Sequence, residues 1–259
     1  MIALSIVGVT GKMGRNLLLQ ALKDTSFKVV SGSASKHSPY IGKDLAELLA
    51  LPAIGAHLES EIASVFEKAD VIIDVSSSVA TMDHLQTAIK YRKPLIIGST
   101  GHKSEERLAI ETAGKEIPIL YAPNFTLGVS LCKQAIALFA KHLKGSAYID
   151  IVETHHVHKK DAPSGTALSL AKAANYETIC PGTALEQPRS KETIAIHSIR
   201  SGNVVGEHRV IFECEGERIE IKHEALTREA FAKGALKAAK FLSTQPAGFY
   251  TMEAIVKHE

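Results

Sequence analysis

Short apolar runs that alternate with helical patterns govern the first half of this chain and leave it few possible folds. Residues 4–7, 28–30, 71–75, 94–97 and 118–121 read as buried strands, and 13–22, 45–49, 80–91 and 105–115 read as helices. Continuous apolar strands alternating with helices predict a parallel sheet covered on both faces. Such sheets bind ligands at the carboxyl ends of their strands.

A glycine-rich turn, Gly8-Val9-Thr10-Gly11-Lys12-Met13-Gly14, falls between the first strand and the first helix. Gly8 permits a tight turn, Gly11 lets the backbone approach a pyrophosphate at a helix N-terminus, and Gly14 allows close packing of helix on sheet. The spacing is G-x-x-G-x-x-G, and a glycine turn without a ligand is the competing reading. A carboxylate for the adenosine ribose is expected about 20 residues on. The chain there reads Ser31-Gly-Ser33-Ala-Ser35-Lys36, with no acid. Hydroxyls and a cation suit a 2′-phosphate, so NADPH is expected in preference to NADH, with a solvated Lys36 as the alternative. Gly98-Ser99-Thr100-Gly101 and Ala122-Pro123-Asn124-Phe125 follow strand-like runs. Both can line the nicotinamide side of the crevice, and either alone can be a simple turn.

Beyond Pro123 the pattern changes. A helix over 129–143 carries Leu131, Ala135, Leu138 and Phe139 as its apolar positions; a strand over 148–153 follows, then a histidine-rich stretch. Ser164 is placed to cap a helix with an apolar stripe of Ala167, Leu168, Ala171 and Ala174. Residues 176–191 read as a loop. Runs at 193–199, 207–213 and 218–223 read as an antiparallel meander, and a helix over 228–242 as packing back on the first domain. The overall class is therefore α/β followed by α+β.

Composition excludes several classes. Charged residues make up 22% and the net charge is +2, too balanced for a nucleic-acid or membrane surface as the main partner. Cys132, Cys180 and Cys214 form no C-x-x-C pair. No run approaches the ~18 apolar residues of a membrane span. The apolar start lacks a basic leader and reads as a strand; a cytoplasmic location is expected.

The stretch richest in chemistry runs Glu153-Thr-His155-His156-Val-His158-Lys159-Lys160-Asp161-Ala-Pro-Ser164-Gly165-Thr166-Ala167. Amides at the helix start and two lysines suit a carboxylate, and an imidazole beside them can donate a proton. A metal site, a solvated basic loop and a helix cap with incidental histidines are the competing readings; no metal is expected, because adjacent histidines on extended chain face opposite ways.

Here the chain resembles the dihydrodipicolinate (4-hydroxy-tetrahydrodipicolinate) reductase family. The family pattern E-x-H-H-x-x-K-x-D-x-P-S-G-T-A matches without a break, and the resemblance extends to the first glycine turn, Gly98–Gly101, Ala122–Phe125, Arg200-x-Gly202 with Gly206-x-His208, and Phe231-Ala-Lys-Gly-Ala235. It implies a Rossmann-type dinucleotide-binding domain of residues 1–126 and 228–259. Residues 127–227 would form a substrate-binding domain whose open mixed sheet assembles a homotetramer.

The resemblance further implies NAD(P)H-dependent reduction of a small dicarboxylate on the diaminopimelate route to lysine. Hydride would pass to C4 of the substrate ring and a proton to C3. It assigns His155 as proton donor and Lys159 as its catalytic partner. His156, Lys159, Ser164, Gly165 and Thr166 would hold substrate. Gly8, Val9, Thr10, Gly11, Lys12, Met13, Gly98, Ser99, Thr100, Ala122, Pro123, Asn124 and Phe125 would contact the dinucleotide, with Ser35 and Lys36 at its adenosine end. The chain departs from the family at Ser35, where many members carry an acid, at Ser76-Ser-Ser78, where a proline is frequent, and in a shorter segment 176–191. Another two-domain dehydrogenase of amino-acid metabolism, or a dinucleotide-sensing regulator without chemistry, are the alternatives. The latter would be expected to have lost His155 and Lys159.

Overall fold

The computed structural model describes residues 1–176, 178–182 and 189–256. The chain divides into two compact units, residues 1–126 with 228–259, and residues 127–227.

The first unit is built on β1 (Ile2–Val7), α1 (Lys12–Lys23), β2 (Phe27–Ser33), β3 (Leu58–Glu59), α2 (Ile62–Glu67), β4 (Val71–Asp74), α3 (Ser78–Tyr91), β5 (Leu95–Ile97), α4 (Ser104–Ala113) and β6 (Pro118–Tyr121). A 3₁₀ turn occupies Leu45–Leu49. The seven-stranded sheet, completed by β12 (Gly248–Tyr250), runs β12-β6-β5-β4-β1-β2-β3 and every pairing is parallel. Its order reverses at β1 and β4, the switch point of a Rossmann-type sheet. Leu4, Ile6, Ile72, Ile73, Leu95 and Ile97 are fully buried. Burial on both faces is why these strands read as unbroken apolar runs.

The second unit contains α5 (Leu127–Leu143), β7 (Tyr148–His155), α6 (Gly165–Ala173), β8 (Thr178–Pro181), β9 (Thr193–Arg200), β10 (Gly206–Glu213) and β11 (Arg218–Ala225). The chain then returns to the first unit as α7 (Glu229–Leu242), β12 (Gly248–Tyr250) and α8 (Met252–Val256).

Four expectations are corrected. The stretch 176–191 holds a strand, β8, beside β9; Pro188 lies outside the described residues. The apolar face of α5 is rotated: Leu131 and Leu138 are 53% and 58% exposed, while Val129, Ile136 and Ala140 are buried. Two apolar sets share this helix at helical spacing, and the one carrying Val129 and Ile136 meets the core. In α6, Leu170 is buried instead of Leu168. Finally, β9, β10 and β11 do not form a meander. The sheet order is β11-β10-β7-β9-β8: β7 lies between β9 and β10, parallel to the first and antiparallel to the second. The link from β9 to β10 is short enough for a hairpin, but it crosses the end of β7 instead.

One face of this mixed sheet packs on α5 and α6. Along it Ile149, Ile151, Ile194, Ile196, Val210 and Phe212 form the core. Among the described residues no helix is long and apolar enough to cross a membrane.

Candidate active site

Strand alternation that places Ile149 and Ile151 in the core also places Glu153 and His155 on the same face, two and four residues further on. Register aligns His155 with Arg200 on β9 and Glu153 with His208 on β10. The covered face thus turns from apolar to ionisable at the carboxyl end of β7. The link from β9 to β10 closes over it: Ser201 donates its amide to the His155 carbonyl (2.8 Å), and Val157 to that of Gly202 (3.2 Å).

Glu153 is 0% exposed. Arg200 grips it with two guanidinium nitrogens, at 3.0 and 2.9 Å, and the Ser164 amide donates to it at 3.3 Å. His155 contacts its Oε2 through Nδ1. Burial pushes the Glu153 carboxyl up, but Arg200, Ser198 and His155 outweigh this and hold it below the ordinary carboxylate value. Burial lowers the His155 imidazole; Glu153 opposes the fall, and Lys159 and Arg200 add to it. The His208 ring meets His155 edge-on at 5.1 Å between centroids, and its Nε2 lies 3.2 Å from Ser164 Oγ. Burial, reinforced by His155, lowers His208 to about 3.

Ser164 caps α6, its Oγ accepting from the Ala167 amide at 3.2 Å. Gly165 is exposed, and a Cβ there would meet nothing within 4 Å. The first turn of α6 therefore opens onto free space with the helix dipole directed at it. Lys159 Nζ pairs with Asp161 at 2.8 Å, and the Arg200 fork also reaches the carbonyls of Lys159 and Asp161, pinning this stretch. His156 is half-buried, with Nδ1 lacking a partner. Among the described residues no group of three His, Cys, Asp or Glu side chains could hold a metal ion. The sequence reading gave Arg200 and His208 no role. His208 shares the inward phase of Val210 and Phe212, and Arg200 that of Ile194 and Ile196, a signal that could have exposed both.

In the first unit the glycine turn is shaped as a cradle. Gly8 has φ +79°, and a Cβ on it would lie 2.9 Å from Ser76 backbone; one on Gly14 would lie 2.3 Å from the Gly8 carbonyl oxygen. The amides of Gly8 and Val9 bind the Ser33 carbonyl at 2.9 and 3.1 Å, fixing the turn to the end of β2. Thr10, Gly11 and Lys12 form the open rim, whereas the Val9 side chain is buried. Ser35 and Lys36 are exposed just past β2.

A cleft of ≈ 270 Å³ is lined by Met13, Val75, Ser76, Gly98, Ser99, Thr100, Pro123, Asn124, Phe125 and Phe231. It gathers seven of the sequence-predicted residues; Ala122 is buried and does not line it. The Ser99 hydroxyl is shared with Thr81 at 2.7 Å, and Thr81 bonds the fully buried Asp74 at 3.0 Å. Gly98 admits Phe125, whose ring would lie 2.5 Å from a Cβ there. A turn this tight, opening onto a helix N-terminus beside a cleft, fits a dinucleotide: backbone for the pyrophosphate, strand ends for the nicotinamide.

Comparison with known proteins agrees. Residues 2–125 match the family model described as dihydrodipicolinate reductase, N-terminus, and residues 128–256 match its C-terminus. A protein of Methylococcus capsulatus named 4-hydroxy-tetrahydrodipicolinate reductase is 39% identical over 97% of this chain and 96% of its own length. Among solved structures, dipicolinate-bound dihydrodipicolinate reductase from Paenisporosarcina sp. TG-14 aligns with TM-score 0.78 and 24% identity, covering 98% of this chain and 99% of that one. An amine dehydrogenase from Mycobacterium smegmatis shares the fold, with TM-score 0.67 and 11% identity over 97% and 95% of the two chains. With both halves matched end to end, the chain belongs to the dihydrodipicolinate reductase family.

Proposed function

We propose that this chain reduces 4-hydroxy-tetrahydrodipicolinate, or its dehydrated form, to tetrahydrodipicolinate on the diaminopimelate route to lysine, in the cytoplasm. The observation that carries the reading is His155, buried at the carboxyl end of β7 beside the capped N-terminus of α6. A proton donor and an anion site are what reduction of a cyclic dicarboxylate requires.

A nicotinamide dinucleotide, when bound, supplies hydride to C4 of the substrate ring. The backbone of Gly8–Met13 takes its pyrophosphate. Gly98, Ser99 and Thr100 and the stretch Ala122–Phe125 take its nicotinamide side. Ser35 and Lys36, exposed just past β2, would take the 2′-phosphate, so NADPH is preferred and NADH remains usable. His155 gives its proton to C3. Lys159 exchanges Asp161 for a substrate carboxylate, and His156, Ser164, Gly165 and Thr166 hold the carboxylates. Such charge-assisted bonds contribute about 1.5–3 kcal/mol each. Four copies assemble through the second unit.

The test is oxidation of the reduced dinucleotide, followed by absorbance, with substrate generated freshly by its synthase. Wild type should consume NADPH at a lower KM than NADH, and Lys36→Ala should narrow that difference with kcat retained. No oxidation of either cofactor would remove the reading. An NADPH preference unchanged in Lys36→Ala would remove the role of Lys36.

A further inference from the structure

Glu153 and Arg200 form a buried ion pair at the edge of the site, and such pairs are poor sources of stability. Their geometry has a chemical use. An ionised carboxylate only accepts hydrogen bonds. Glu153 is kept ionised by the Arg200 fork at 3.0 and 2.9 Å and by the Ser164 amide at 3.3 Å. The His155 nitrogen against it, Nδ1, must therefore carry a hydrogen. Nε2 is left as the ring position free to exchange a proton, and it faces Gly206, where a Cβ would stand 3.1 Å away. Glycine at that position keeps a side chain from crowding Nε2.

We propose that Glu153 is a positioning residue for proton donation: it fixes the Nδ1–H tautomer of His155 and aims Nε2 at the substrate, while Arg200 keeps Glu153 charged and in place. The proposal rests on His155 being the proton donor. In the step, the Nε2–H bond of the imidazolium breaks and a C–H bond forms at substrate C3. His155 is left neutral with its hydrogen on Nδ1, still bound to Glu153, and Nε2 regains a proton from water. The charged and titratable groups around the ring are Glu153 on β7, Arg200 on β9, His208 on β10 and Lys159 in the stretch after β7. Glu153 alone among these favours the imidazolium.

The experiment compares full-length wild type, Glu153→Gln and His155→Ala. For each, kcat, KM and the pH profile of kcat/KM are measured, with NADPH affinity as a check on folding. The alkaline limb of kcat/KM reports the acid of the free enzyme. In Glu153→Gln that limb should move to lower pH and kcat should fall about 10–100-fold, with NADPH affinity retained. His155→Ala should lose about 10²–10⁴-fold. A Glu153→Gln enzyme with the wild-type profile, or with lowered kcat and an unmoved limb, overturns the proposal while leaving His155 as donor. Near-wild-type turnover in His155→Ala overturns the donor assignment itself. Nitrogen-15 NMR of the wild-type imidazoles reads the same point without a buried substitution. The resonances missing in His155→Ala should show a protonated Nδ1 and a bare Nε2 above the pKa, and the opposite tautomer overturns the proposal.

Discussion

His208 is 3% exposed, and burial holds its imidazole at about 3 against an ordinary value of 6.5. In the folded chain it stays neutral, while in the unfolded chain it takes a proton below 6.5. Its contribution therefore works against the folded state as pH falls from 6.5 toward 3, and is absent above 6.5. Between pH 8 and pH 5 this one group should cost about 2 kcal/mol. The carboxylates lowered by folding, Glu153 and Asp150 among them, lose their stabilisation only below the ordinary carboxylate range. The window above pH 5 thus isolates the histidines. Urea unfolding at pH 8 and pH 5, at one chain concentration, should show a smaller acid loss in His208→Gln than in wild type. An equal loss in both would mean that His208 is already protonated in the folded state.

At the scale of elements, α7 is the clearest case of sequence serving packing. It buries Ala232, Gly234, Ala235, Ala238, Ala239 and Leu242 against α1, β4, β5 and β6. Helix propensity favours alanine over glycine at 234 by about 1 kcal/mol. Space decides otherwise: a Cβ there would lie 1.8 Å from the Phe125 carbonyl oxygen. Gly234→Ala should destabilise by about 3 kcal/mol or more, read as a lower urea midpoint; a higher midpoint would refute the close approach.

The helix over 228–242 was visible in the sequence, and so were the strands β1, β4, β5 and β6, because burial on both faces makes each an unbroken apolar run. The two residues of β3, the six of α2 and the three of β12 are too short to show a period. The placement of β7 between β9 and β10 was hidden because a five-residue link serves a hairpin and a crossing equally. The proposed catalytic stretch was legible because Glu153 to Ala167 is contiguous. Its partners Arg200 and His208 come from strands more than 40 residues away, and only register brings them to His155.

For the whole molecule, the five-stranded sheet poses a problem that one chain does not solve. One face is covered by α5 and α6, and the other is not matched by any helix of that unit among the described residues. On the uncovered side Val152, Ile199 and Ile211 lie among Glu207, Arg209, Glu220 and Lys222. These charges already pair across strands, Lys222 with Glu207 at 3.1 Å and Arg209 with Glu220 at 3.8 Å. Pairing within the face removes unmatched charge and leaves apolar positions between the pairs, the pattern a self-complementary interface uses. The proposed tetramer would bury this face. Sedimentation should accordingly give four times the chain mass of 27.8 kDa. Ile211→Glu adds a charge opposite Glu220 and Asp150, its register partners. Like charges directly opposite are destabilising on a sheet face, and a buried interface magnifies the cost. The variant should sediment as dimers or monomers while binding NADPH normally, because the dinucleotide turn and cleft belong to the other unit. A variant that keeps the wild-type mass would place the contacts of the assembly elsewhere, and a wild type that sediments as a single chain would remove the assembly itself.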